Sequence, residues 1–201
     1  MTQSPDREHI IVIGASAGGL KPMTEILDML RPGIDAPVVV AVHSSEHSKL
    51  AQVLARSSAL PVQAVSDRAT LHPGTVYVCP GGKQSRIDGR NLQISETQPG
   101  MLYQPSVDVL FETAAAQYGA GIIAVVLSGV MKDGTRGAQA VFDAGGVMLV
   151  QSPAEAQFSA MPQSIITNDH PNAVLLAEDI AQRLYEIAGE RGLLRRSGQR
   201  A

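Results

Sequence analysis

Uninterrupted apolar runs recur along this chain: IIVI from Ile10, VVVAV from Val38, IIAVVL from Ile122 and VMLV from Val147. A strand with one wet face alternates apolar and polar residues, so runs without alternation must be covered on both sides. Between them lie stretches of helical spacing. Gly19 to Leu30 places Leu20, Met23, Ile26, Leu27 and Leu30 on one face and is ended by RPG. SKLAQVLARSS, PSVDVLFETAAAQYG, DGTRGAQAVFDAGG and AEDIAQRLYEIAGE keep the same period. Strand and helix in alternation predict an α/β fold, a doubly wound, mostly parallel sheet with helices on both faces. PVQAV and GTVYVCPGG read as further short strands, SRIDGRNLQIS as a β-hairpin turning at DGR, and MPQSII as the start of a short helix. Pro105 suits the first turn of the PSVDVLF helix and Gly119 its end. The reading is one domain over residues 9–190, with tails at 1–8 and 191–201.

Composition narrows the function. Aromatics are 3% with no tryptophan, so the core must come from Val, Ile, Leu, Ala and Met. A net charge of −3 argues against a general nucleic-acid binder. The single cysteine, Cys79, excludes an intramolecular disulfide. MTQSPDREH is not a secretory leader, and no apolar run approaches the ~18 residues of a membrane span. The expectation is a cytoplasmic protein with no direct membrane insertion.

Gly14-Ala15-Ser16-Ala17-Gly18 matches G-x-S-x-G between a strand and a helix, the setting of a nucleophile elbow. Small neighbours let the chain turn sharply and leave the hydroxyl exposed. The Ala17 N–H can face a developing oxyanion, helped by the helix N-terminus. A plain glycine turn fits the same residues, and so does an anion-binding loop. Neither the dinucleotide fingerprint nor the Walker pattern is met. A nucleophilic serine needs a base. His43 closes the second strand as Ser16 closes the first, and sites in such sheets gather at the strands' carboxyl ends. His47 is the reserve. His9 lies at the opposite end, and His72 and His170 lie in turns. Asp133, after the strongest strand, can hold the imidazole in one tautomer, or else cap the helix that begins at GTRGAQAVF. HSSEH sets His43, Glu46 and His47 in a loop without the spacing of a metal site, so no metal and no cofactor are expected.

IVIGASAGGL, VVVAVH, LHPGTVYVCPGG, QPSVDVLFETAA, VVLSGVMKDGTRG and AEAQFSAMPQSI occur in the order found in the chemotaxis protein-glutamate methylesterases. Over roughly residues 9–187 the chain resembles the catalytic domain of this CheB family. The resemblance implies a serine hydrolase with Ser16 as nucleophile, His43 as general base and Asp133 as orienter. It implies backbone oxyanion contacts from Ala17 and from the Gly129–Val130 loop, with Val130 the donor there. The implied reaction is hydrolysis of glutamyl methyl esters, and deamidation of glutamines, on methylated chemoreceptors. Other readings stay open, an esterase for another substrate or a non-enzymatic binding module. Members of this family usually carry an N-terminal receiver domain, whereas only eight or so residues precede the first strand here. A free-standing domain with a separate regulatory protein is the expectation. HSSEH stands where the family usually has His-Met-Pro-Pro, and Ala17 where many members have threonine.

Overall fold

A computed structural model describes residues 8–97, 104–168 and 171–189. The elements run β1 (Ile10–Ala15), α1 (Leu20–Met29), β2 (Val38–Val42), α2 (Leu50–Ser57), β3 (Val62–Ala64), β4 (Arg68–Thr70), β5 (Val76–Val78), β6 (Gln84–Asp88) and β7 (Asn91–Ser95). They continue α3 (Val107–Tyr118), β8 (Ile122–Val126), α4 (Thr135–Asp143), β9 (Val147–Gln151), α5 (Ala160–Asn168), β10 (Ala173–Leu175) and α6 (Ala177–Ala188).

Seven strands form one parallel sheet in the order β10-β9-β8-β1-β2-β5-β3. The apolar runs found in the sequence occupy its centre, where both faces are dry. Alternate residues serve opposite faces. Ile10, Val12, Val39, Ala41, Ala124 and Val126 pack with residues of α3, α4 and α5. Ile11, Ile13, Val38, Val40, Ile123 and Val125 pack with residues of α1, α2 and α6. Each such valine or isoleucine, fully buried, contributes about 1.5–3 kcal/mol relative to exposure.

The sheet grows outward from β1 in both directions. β2, β3 and β5 build one half, with β5 inserted between the other two. The chain then returns to the middle and lays down β8, β9 and β10 on the other side. The order therefore reverses at β1, and the crevice at its carboxyl end is where open sheets of this kind place their ligands.

Three details differ from the sequence reading. β4 and β10 have three residues each and no usable periodicity; β4 buries only Ala69. β4 adds to the expected hairpin, making a three-stranded antiparallel sheet, β4-β7-β6. α3 starts at Val107 with Ser106 as its N-cap, so Pro105 stands before the cap and not in the first turn. The predicted tail residues 1–7 and 191–201 lie outside the described residues.

Candidate active site

Ser16 follows directly on β1, the central strand. Its N–H donates to Ser128 O (3.0 Å), and its carbonyl accepts from Gly19 N (3.0 Å), closing a tight turn into α1. The turn needs Gly18 at φ +75°, a backbone region that side chains disfavour. Gly14 has a different reason. A Cβ there would stand 2.3 Å from Val107 Cγ1, so its absence lets the start of α3 rest on β1. The two glycines of G-x-S-x-G thus make one turn and one close approach.

β1 and β2 are parallel neighbours, with Ala15 opposite Val42 and His43 N donating to Ala15 O (3.1 Å). Ser16 and His43 are the next position on each strand. Val42 belongs to the α1–α2 face, so alternation turns His43 toward the other face, where α3 begins. There His43 Nε2 donates to Asp133 Oδ2 at 2.8 Å. The His43 side chain is 14% exposed and that of Asp133 fully buried.

Asp133 lies in the loop between β8 and α4, as expected, but it does not act as the N-cap of its own helix. That position is Gly134, whose N–H donates to Asp133 Oδ1 at 3.1 Å. The carboxylate instead receives the first amides of α3, Val107 N on Oδ2 (2.6 Å) and Asp108 N on Oδ1 (3.0 Å), together with the Ser106 hydroxyl (3.2 Å). Burial pushes its carboxyl up; the hydrogen bonds from His43, Asp108 N and Val107 N outweigh that and hold it below the usual range. A buried anion fully supplied with donors at a helix N-terminus stays ionised. It can therefore orient an imidazole and stabilise its charged form.

The third wall is the segment from Leu127 to Val130. Ser128 Oγ donates to Ala17 O (2.9 Å) and accepts from Phe158 N (2.9 Å), and Ser128 N donates to the buried Gln151 Oε1 (2.9 Å). One hydroxyl thus joins the Ser16 turn to the loop before α5. Gly129 N donates to Phe158 O (2.9 Å), so that amide is committed. Among the described residues no partner takes the Ala17 or Val130 amide. Leu20, Val130, Met131 and Phe158, all in loops or helix starts at this edge, are exposed and give it an apolar rim.

Other candidates fall away from this place. His9 Nδ1 pairs with Gly121 O (3.2 Å), just before β8, at the opposite edge. His47 is exposed in the loop after His43, and His72 lies in the turn before β5. His170 lies outside the described residues. Burial pushes the Cys79 thiol up to about 12, which removes it as a nucleophile. No cluster of three metal-ligating side chains occurs among the described residues. Sequence reasoning missed Ser128, Ser106 and Asp108. Ser106 had a signal, a serine directly before an apolar helical period. Ser128 had none.

Ser16, His43 and Asp133 follow three adjacent strands, β1, β2 and β8, at the carboxyl edge of the sheet of a doubly wound α/β protein. Comparison with known proteins narrows the class. Residues 11–184 match the family model described as CheB methylesterase, and the chain belongs to that family. It is 35% identical over 179 residues to a protein-glutamate methylesterase/protein-glutamine glutaminase of Saccharophagus degradans, covering 87% of this chain and 49% of the relative. A protein of the same name from Pseudomonas syringae is 31% identical over 180 residues, with 88% and 47% covered. The chain thus spans about half the length of the curated relatives it matches. The crystal structure of the Thermotoga maritima CheB methylesterase catalytic domain superposes with a TM-score of 0.83 at 30% identity, covering 90% of this chain and 99% of that one.

Proposed function

We propose that residues 9–190 form a catalytic unit that hydrolyses glutamyl methyl esters on methylated chemoreceptors in the cytoplasm. The observation that carries the reading is the hydrogen-bonded His43–Asp133 pair, with His43 on the strand next to that of Ser16, in a chain of the CheB family. His43 Nδ1 takes the hydroxyl proton as Ser16 Oγ attacks the ester carbonyl. The Ala17 and Val130 amides receive the developing oxyanion. The imidazolium, held by Asp133, returns the proton to the departing methoxide, and methanol leaves. Water, deprotonated by His43, then cleaves the acyl-enzyme to the glutamate and free Ser16. Glutamine deamidation uses the same acyl-enzyme with ammonia as leaving group, in keeping with the relatives' double name.

The test is methanol release from methylated receptor. Ser16→Ala should lower kcat by about 10⁴-fold or more, as loss of a triad nucleophile does, and abolish labelling by a fluorophosphonate. Wild-type turnover in Ser16→Ala would overturn the assignment. Absent turnover and labelling in the unmutated chain would favour a binding module.

A further inference from the structure

Two helices begin beside the Asp133 carboxylate, and each is capped by an aspartate from the other. Asp133, in the loop before α4, receives the first amides of α3. Asp108, in the first turn of α3, reaches back to α4. Its Oδ1 accepts from Gly137 N (2.8 Å) and its Oδ2 from Arg136 Nε (3.2 Å). Asp108 joins the two caps, since its own amide donates to Asp133 Oδ1 while its carboxylate accepts from Gly137 N. Both are almost wholly buried. The helices touch so closely that a Cβ on Gly137 would stand 2.6 Å from Phe111 Cβ and 3.1 Å from Asp108 Cα.

We propose that Asp108 is a positioning residue for Asp133: its cap on α4 locks the two helix starts in the arrangement that presents the Asp133 carboxylate to His43. The physical reason is geometric. α4 starts immediately after Asp133, so the first turn of α4 sets where that loop lies. Asp108 ties this turn, through Gly137 N and Arg136 Nε, to the helix whose amides hold Asp133. Without it α4 can tilt or fray at its N-terminus, and Oδ2 moves relative to His43 Nε2. The titratable and charged groups around the pair are His43 from the end of β2, Lys132 in the same loop, and Arg136 on α4, which also reaches Glu112 on α3.

The kinetic consequence of this inference rests on the triad reading above; its spectroscopic consequence does not. Asp108→Ala should lower kcat for methanol release about ten- to a hundredfold, as a misplacement of the order of 1 Å does, with KM within about twofold of the parent. In ¹⁵N-labelled protein the His43 Nε2–H resonance, identified by its loss in His43→Ala, should shift or vanish by exchange with water. Asp108→Asn, which keeps an acceptor for Gly137 N, should restore most of both. Should Asp108→Ala not melt cooperatively, Asp108→Leu carries the same test, because it keeps the side-chain volume and offers no acceptor to Gly137 N. A folded Ala or Leu variant with parental kcat and an unmoved resonance overturns the proposal. So does a fall in kcat with the resonance unmoved, or an Asn variant as impaired as the Ala one. A moved resonance together with full turnover in Ser16→Ala would leave the positioning role standing and remove the triad reading.

Discussion

Gly129 shows how little room the site leaves. A Cβ at this position would lie 2.0 Å from Met161 Sδ and 3.0 Å from Ser16 Cβ. The segment after β8 therefore runs directly alongside the serine, and Met161 seals it from behind. Gly129→Ala should destabilise the fold by about 1–3 kcal/mol, the range for overpacking a tight core, and should lower kcat by crowding Ser16. Denaturant melts and methanol release measure the two effects. Unchanged values in both would show that Met161 moves aside freely. Ser16, His43 and Asp133 are each legible in the amino-acid sequence, because each follows an apolar run and so stands at a strand end. Their mutual geometry is not. Ser128 is invisible there for the same reason: its partners, Ala17 and Phe158, are distant in sequence, and a serine in a loop has no pattern of its own.

The helix N-termini carry the electrostatics. α3 aims its first amides at Asp133, and its N-cap Ser106 adds a hydroxyl. The folded state therefore favours the ionised carboxylate more than the unfolded chain does. The sign follows. The folded value lies below the ordinary 3.8, so the stabilising contribution is present in full above that value. It is lost as pH falls from about 4 through the folded value. Thermal melts of the parent and of Asp133→Asn should differ most at neutral pH and converge as the pH is lowered past 4. A gap that stays constant with pH would contradict the charge argument. The sequence suggested that Asp133 caps a helix, and it does, but the helix is α3, whose start lies 26 residues upstream. Local pattern assigns a cap to the adjoining helix because it carries no information about which other N-terminus packs nearby.

Across the molecule the two hydrophobic layers have separate duties. One, beneath α1, α2 and α6, is continuous apolar packing on the face of the sheet opposite the His43 side chain. The other, beneath α3, α4 and α5, also carries the polar work, since Val107 and Phe111 pack there beside the caps. Cys79 reports on this second layer. It is buried, and its thiol is held protonated by burial. In native protein it should resist thiol reagents at neutral and mildly alkaline pH, with labelling that tracks global unfolding in denaturant. Rapid labelling without denaturant would show that the second layer opens locally.

The alternation of strands and helices apart from β4 and β10, the dryness of the central strands and the placing of three chemically useful side chains after strands all followed from local pattern, because burial and strand polarity act within a few residues. The arrangement of strands was decided only in three dimensions. So were the insertion of β5 between β2 and β3, the pairing of β4 with the hairpin, the crossed caps of α3 and α4, and the choice of Nε2 of His43 for Asp133. Each depends on contacts between segments far apart in the chain. Their energies come from the fit of surfaces and the satisfaction of buried polar groups, and those exist only once the layers have packed.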